Sequence, residues 1–403
     1  MTDLTRVLQR LYERIPLGMR LGLDPMNAAC ARFGHPERAC EIVHVAGTNG
    51  KGSVCAMTES MLREAGHRTG LYTSPHLLRF AERIQVNGKP VDDVTLVHIL
   101  DDVLRREPDL SFFEAATLTA MLVFREAKCD RVVLEVGLGG RLDATNVIAT
   151  PRIAAITRIA LDHTDRLGST LEAIAREKAG IMKTGGRIVI GPTVPEIGRV
   201  FEGVARDVGA TIVNFIDATA TREVASLALG LHGEHQRANA AIAWTIGEEL
   251  GIPAAARRAG LVNVRWPGRC EQFVRNGVSF LLDGAHNPDG ACALATFVRT
   301  TYPDPDKVAL VFGALADKDW QTVLDTLAPR AAHRYYVAPL GRAAAPPVAL
   351  AARWPGVALS GLAEALNVAS REAPHVLIAG SLHLVGEARG ELLGLPRDPA
   401  VAL

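Results

Sequence analysis

The segment HVAGTNGKGSV (residues 44–54) concentrates residues that could handle a polyphosphate. Gly47, Gly50 and Gly52 permit positive φ angles and close backbone approach. Their N–H groups, with those of Thr48, Asn49 and Ser53, can cradle phosphate oxygens where a loop opens a helix. Lys51 supplies a point charge for the outer phosphates, and the Ser53 hydroxyl is placed to hold magnesium. The strict G-x-x-x-x-G-K-[ST] spacing is not met. Val45 stands where its first glycine belongs, and Gly52 separates Lys51 from Ser53. A glycine-rich turn with a surface lysine is the plainer alternative. The apolar run before the loop and the amphipathic run after it argue for phosphate binding.

Bound phosphates call for divalent cations. Glu135 ends an apolar run just before VGLGG, and in a parallel sheet the strand C-termini face the ligand crevice. His163, in LDHTD (161–165), follows another apolar strand and falls at the same sheet edge. A lone histidine is usually structural, so position is its whole case. Lys178, in AREKAGI (175–181), reads by composition as a solvated helix lysine. GLGG (137–140) lacks the G-x-G-x-x-G spacing of a dinucleotide fold. Phe112 and Phe113 fit an aromatic slot for a flat ring, although such a pair is more often core.

These groups need strands that end together. EIVHVAG (41–47), RTGLYTS (68–74), RVVLEVG (131–137), RIAAITRIA (152–160) and RIVIG (187–191) read as strands, with helices over 53–66, 114–128 and 169–183. Fully apolar strands alternating with helices predict an α/β fold with a mainly parallel, helix-covered sheet. A helix within 231–251 follows. VRWPGRC (264–270) breaks the rhythm, and a second alternating block has strands at 278–285, 307–315, 334–340 and 375–380. We place a boundary near Val264–Gly268, giving domains 1–265 and 266–403; 343–356 reads as loop with a helical turn. The 403 residues suit two or three domains. Lys plus Arg and Asp plus Glu both total 44, so charge gives no case for nucleic acid or an anionic membrane. MTDLTRVLQRLYERI is amphipathic and lacks the apolar core of a signal peptide. No apolar run approaches the roughly 18 residues of a membrane span. Six cysteines without a C-x-x-C pair point to buried, reduced thiols and a cytoplasmic protein.

HVAGTNGKGSV, TSPHL (73–77), SFFE (111–114), EVGLGGRLDATN (135–146), LDHTDRLGSTLEAIAREKAGI (161–181), WPGR (266–269), DGAHNP (283–288) and GSLHLVGEA (380–388) occur in one order. Together they closely resemble the folylpolyglutamate synthase/dihydrofolate synthase family of the Mur ligase superfamily. The resemblance implies an N-terminal P-loop-type ATPase domain and a smaller C-terminal Rossmann-like domain, with ATP between them. It implies two Mg2+ sites on Ser74, Glu135 and His163, and a carbamylated Lys178 that acts as a carboxylate-like ligand. It implies nucleotide contacts from Asn239, Arg269 and Asp283, with His286 and Ser381 toward glutamate. Pro75, His76, Phe112, Phe113, Arg141 and Asp143 are then candidates to touch the folate. From the residues alone, caps, turns and surface ion pairs are the plainer readings of most of these. Two positions depart from the family pattern: His383 stands where a tyrosine is expected, and Asp24-Pro25 where Glu-Arg is expected, in the stretch 21–34 linked to dihydropteroate.

The implied reaction is ATP-dependent. A dihydropteroate or tetrahydrofolate carboxylate takes the γ-phosphoryl group, with Lys51 and the metals neutralising charge. L-Glutamate then attacks the acyl-phosphate, with Lys178 and His286 as further catalytic candidates. The family implies a monomer. Folylpolyglutamate synthesis alone, or a Mur-type ligase acting on a UDP-linked substrate, is the nearest alternative. A nucleotide-binding regulatory protein and a nicotinamide dehydrogenase stand further off.

Overall fold

The computed structural model describes residues 2–15, 22–341 and 343–398; Leu21, the first residue of the 21–34 stretch, lies outside them. The chain builds two sheets, as the alternating pattern predicts. The first has eight strands: β1 (Glu41–Ala46), β2 (Thr69–Tyr72), β3 (Ile84–Val86), β4 (Lys89–Pro90), β5 (Arg131–Glu135), β6 (Ile153–Ile156), β7 (Arg187–Ile190) and β8 (Thr211–Phe215). Their order is β4-β3-β2-β5-β1-β6-β7-β8. From β2 to β8 every pairing is parallel, and only the β2–β3–β4 edge runs antiparallel. The second sheet holds β9 (Glu271–Arg275), β10 (Val278–Leu282), β11 (Val308–Phe312), β12 (His333–Tyr336), β13 (Val357–Ala358) and β14 (His375–Ala379). It runs β13-β12-β11-β14-β10-β9, antiparallel only at β9–β10.

Parallel strands are buried on both faces, which explains their unbroken apolar sequences. Helices Asp93–Arg106 and Phe112–Glu126 cover one face of the first sheet, in a core that also takes Leu8 and Leu11 of helix Asp3–Tyr12. Helices Lys51–Glu64, Glu234–Glu249 and Ala254–Asn263 cover the other. The second sheet is likewise filled on both sides. β1 lies between β5 and β6, with Val45 beside Glu135 and Ala46 beside Ile156. The loops leaving these three strands therefore rise at one edge, where open parallel sheets bind ligands.

Local chemistry moves several helix starts. The helix expected from residue 53 begins at Lys51, because Gly50 takes the left-handed N-cap conformation (φ 91°). The helix expected from 114 begins at Phe112. Ser111 and Glu114 form a capping box whose side chains satisfy each other's backbone N–H groups. The 343–356 stretch contains a two-turn helix, Pro347–Arg353. All six thiols are free, and the expectation of burial holds for Cys30, Cys55, Cys129 and Cys270; Cys40 is half-buried, and Cys292 is exposed on helix Pro288–Thr301.

Candidate active site

A cleft of about 510 Å³ opens at the C-terminal edge of the first sheet, and the second domain forms its far wall. Gly47 to Ser53 form its floor. The loop is braced by the residues that follow β6. Thr48 N donates to Arg158 O (2.9 Å), and Thr157 Oγ1 donates to Asn49 O (2.7 Å). The glycines are dictated by neighbours as well as by φ. A Cβ on Gly47 (φ 144°) would sit 1.8 Å from Thr157 Oγ1, and one on Gly50 would sit 2.3 Å from Asn239 Oδ1. Trp266 covers Gly52. Asn239 donates to Gln236 Oε1 (2.9 Å), and Gln236 donates to Ser53 Oγ (3.2 Å). Helix Lys51–Glu64 points its N-terminus, and its partial positive charge, at the cleft.

Two lysines converge on this loop. Lys51 Nζ donates to the carbonyls of Gly47 and Thr48, both at 3.1 Å. Lys178 is buried and its Nζ donates to Gly47 O at 2.9 Å. Burial, with the charge of Lys51, lowers its pKa to about 7. Glu135 is buried opposite them and accepts from Ser74 N (3.0 Å). Burial raises its pKa, although Lys51 and the Ser74 bond pull the other way. His163 also lines the cleft; burial brings its pKa down to about 4, leaving the ring neutral near pH 7.

Among the described residues, no three His, Cys, Asp or Glu side chains gather closely enough to hold a cation alone. Magnesium needs no such cage. It is commonly held by one or two carboxylates, with water and substrate phosphates completing its shell. A buried carboxylate, a serine and a neutral imidazole on one phosphate cleft fit that chemistry.

The far wall comes from the second domain. Arg269 donates to Gly268 O (3.2 Å) and bears on Glu135 through its charge. Asp283 accepts from Cys270 N (2.8 Å) and Ala285 N (2.9 Å), and His286 Nδ1 donates to Gly284 O (2.8 Å). Sequence reasoning missed the group that joins the walls. Asp162 accepts from Lys318 Nζ (2.7 Å) and Asn287 Nδ2 (3.1 Å), and His286 Nε2 lies 3.5 Å away. Burial would raise the Asp162 pKa. The bonds and charges of His286 and Lys318 outweigh it and hold the carboxyl well below the usual range. Asn49 adds reciprocal bonds with Asn287 (3.1 and 3.0 Å) and one to Asp289 (2.9 Å), and Arg158 pairs with Asp289 (2.7 Å). The only sequence signal was a set of charged residues just past predicted strands.

Pro75 lines the cleft beside Ser74, whereas other candidate substrate residues do not. His76 lies in an aromatic nest, with Arg83 Nε 2.8 Å from its Nδ1 and Tyr12 Oη 3.3 Å from its Nε2. Phe112 joins that nest, and Phe113 packs on Gly137. Arg141 pairs with Glu177 at the surface (2.9 Å). Asp143 is buried and accepts from Gly137 N (3.0 Å) and Leu138 N (2.9 Å), fixing the glycine turn after Glu135. Ser381 caps helix Leu382–Leu393, and Leu382 reaches the cleft.

The two-sheet architecture and the phosphate loop facing a second domain are those of a Mur ligase. Family models described as Mur ligase middle domain and Mur ligase, glutamate ligase domain match residues 45–215 and 268–382. The chain is 38% identical over 352 residues to dihydrofolate synthase/folylpolyglutamate synthase of Bacillus subtilis (strain 168), covering 79% of this chain and 81% of that one. Against the protein of the same description from Escherichia coli (strain K12), identity is 35% over 387 residues, covering 91% and 90%. A structure of E. coli FolC with DHPP and ADP superposes with a TM-score of 0.86 at 32% identity, covering 96% and 98%. The Yersinia pestis bifunctional enzyme with AMPPNP and Mn ion gives 0.84 at 35%, covering 93% and 94%. The chain belongs to the folylpolyglutamate synthase/dihydrofolate synthase family, whose members are ATP-dependent ligases.

Proposed function

We propose that this chain joins L-glutamate to a folate or pteroate carboxylate, using ATP to form an acyl-phosphate, and that it accepts both dihydropteroate and tetrahydrofolate. One observation carries this reading: a single cleft holds a phosphate loop, a buried carboxylate, a buried lysine, and the Arg269, Asp283 and His286 of the opposite domain. In it, the 47–53 amides and Lys51 hold the triphosphate, and Asn239, Arg269 and Asp283 hold the rest of the nucleotide. Ser74, Glu135 and His163 would hold two magnesium ions, which supply charge neutralisation at the transferring phosphoryl group. His286, aligned by Gly284 and Asp162, faces the amino acid with Ser381 behind it. The second domain, which begins at a boundary within 264–268, keeps water from the acyl-phosphate.

Lys178 is carbamylated in this reading. An amine must be unprotonated to take up CO2, and burial gives Lys178 that property near neutral pH. The product is an anion able to share a cation. The enzyme acts in the cytoplasm as a monomer, on family resemblance; among the described residues no helix is long and apolar enough to cross a membrane. Phosphate release from ATP plus glutamate, with dihydropteroate or tetrahydrofolate as acceptor, tests the proposal. Release with both acceptors is expected. Release with tetrahydrofolate alone would limit the chain to folylpolyglutamate synthesis, and release only with a UDP-linked acid would replace the reading.

A further inference from the structure

Arg83 is only 7% exposed, yet it pairs with no carboxylate among the described residues. The residues outside that description contain no Asp or Glu either. Its guanidinium stands 5.2 Å from the ring centre of Phe112 and 5.6 Å from that of Phe80. Its Nε donates to His76 Nδ1 (2.8 Å), which fixes His76 as the Nε2–H tautomer facing Tyr12. An imidazole is neutral or cationic, so His76 offers Arg83 no counter-charge. A buried cation is expensive unless an anion meets it. Aromatic faces and a neutral imidazole orient the fork without neutralising it.

The charge of Arg83 reaches Glu135, but Arg83 does not line the phosphate cleft. The carboxylate that attacks ATP must sit in that cleft. Any anion on Arg83 is therefore a different one. A folate that already bears glutamate carries a second, non-reacting carboxylate, and pteroate carries none. We propose that Arg83, seated between Phe80, Phe112 and His76, receives the non-reacting carboxylate of a glutamylated folate and so separates that substrate from pteroate. This rests on the ligase reading above.

The test is steady-state kinetics of wild type, Arg83→Met and Arg83→Lys with tetrahydrofolate and dihydropteroate in parallel. Losing a charge-assisted bond predicts a KM for tetrahydrofolate raised about tenfold or more in Arg83→Met, with the KM for dihydropteroate within about twofold. Arg83→Lys, which keeps the charge, should fall between. Equal rises for both substrates, or none, would overturn the assignment. If Arg83→Met does not fold, Arg83→Lys alone decides, because it too must shift only the glutamylated substrate. A wild type inactive on both substrates would instead refute the ligase reading, and titration of tetrahydrofolate against pteroate without ATP would still probe Arg83.

Discussion

Lys51 and Lys178 donate to the same carbonyl, that of Gly47, at 3.1 and 2.9 Å, and yet they stand in opposite electrostatic situations. Lys51 opens a helix at the rim of the cleft, half-buried, where a cation can meet phosphate. Lys178 lies beneath the same loop, out of water, where its charge is opposed by burial and by Lys51 itself. Burial eases deprotonation of Lys178 near neutral pH and so opens its amine to modification. Residue type sets what is available, and depth below the loop sets which form is present.

Lys51→Ala should produce the largest change: kcat/KM falls by about 10²-fold or more, because a charge aimed at the transferring phosphoryl group is lost. Circular dichroism of the variant should match wild type. Lys178→Ala comes next, with a fall on the order of 10- to 100-fold and partial rescue by a short carboxylic acid. Full activity without rescue would make the buried lysine a mere spacer. Lys178 also predicts a pH signature. Between about 7 and the ordinary lysine value of 10.5 the unfolded chain holds a proton that the fold has released. Stability should therefore rise with pH across that window, and flatten below it, where both states are protonated. Lys178→Met should remove the rise in denaturant titrations done without bicarbonate.

The contrast between rim and interior extends to the seam between domains. Asp162→Asn weakens a pair with Lys318 whose two side chains are only 11% and 13% exposed. It should lower kcat about tenfold by loosening closure of the second domain, visible as a more open particle in small-angle scattering. Arg158→Ala breaks a pair whose arginine is 60% exposed. Its effect should stay within about twofold, as exposed pairs contribute little. If the two substitutions cost the same, depth is not what grades these contacts.

What the sequence disclosed follows the same division. The phosphate loop was readable because its requirements are local: Gly47 and Gly50 answer a backbone demand within a few residues, and Glu135 ends a visibly apolar strand. The parallel strands were readable for the same reason. The β3–β4 hairpin escaped notice, although Asn87-Gly88 with φ of 50° and 71° is its turn signal. Asp162 and Lys318 could not be paired in advance, being 156 residues apart and joined only by docking of two sheets. Arg83 drew no reading from the sequence, because its lack of a carboxylate partner among the described residues is a property of the fold alone. Asp143 was read as a substrate contact; that one of its carboxylate oxygens also accepts from Gly137 N and Leu138 N was not legible in the sequence.

The most direct test of a phosphate loop serving amide formation is the conversion of ATP to ADP by the purified chain, followed with each substrate omitted in turn. ADP should accumulate only when a folate or pteroate acceptor, glutamate and magnesium are all present, in a one-to-one ratio with new amide. ADP formed at the same rate without acceptor and glutamate, or amide formed without ADP, would contradict it.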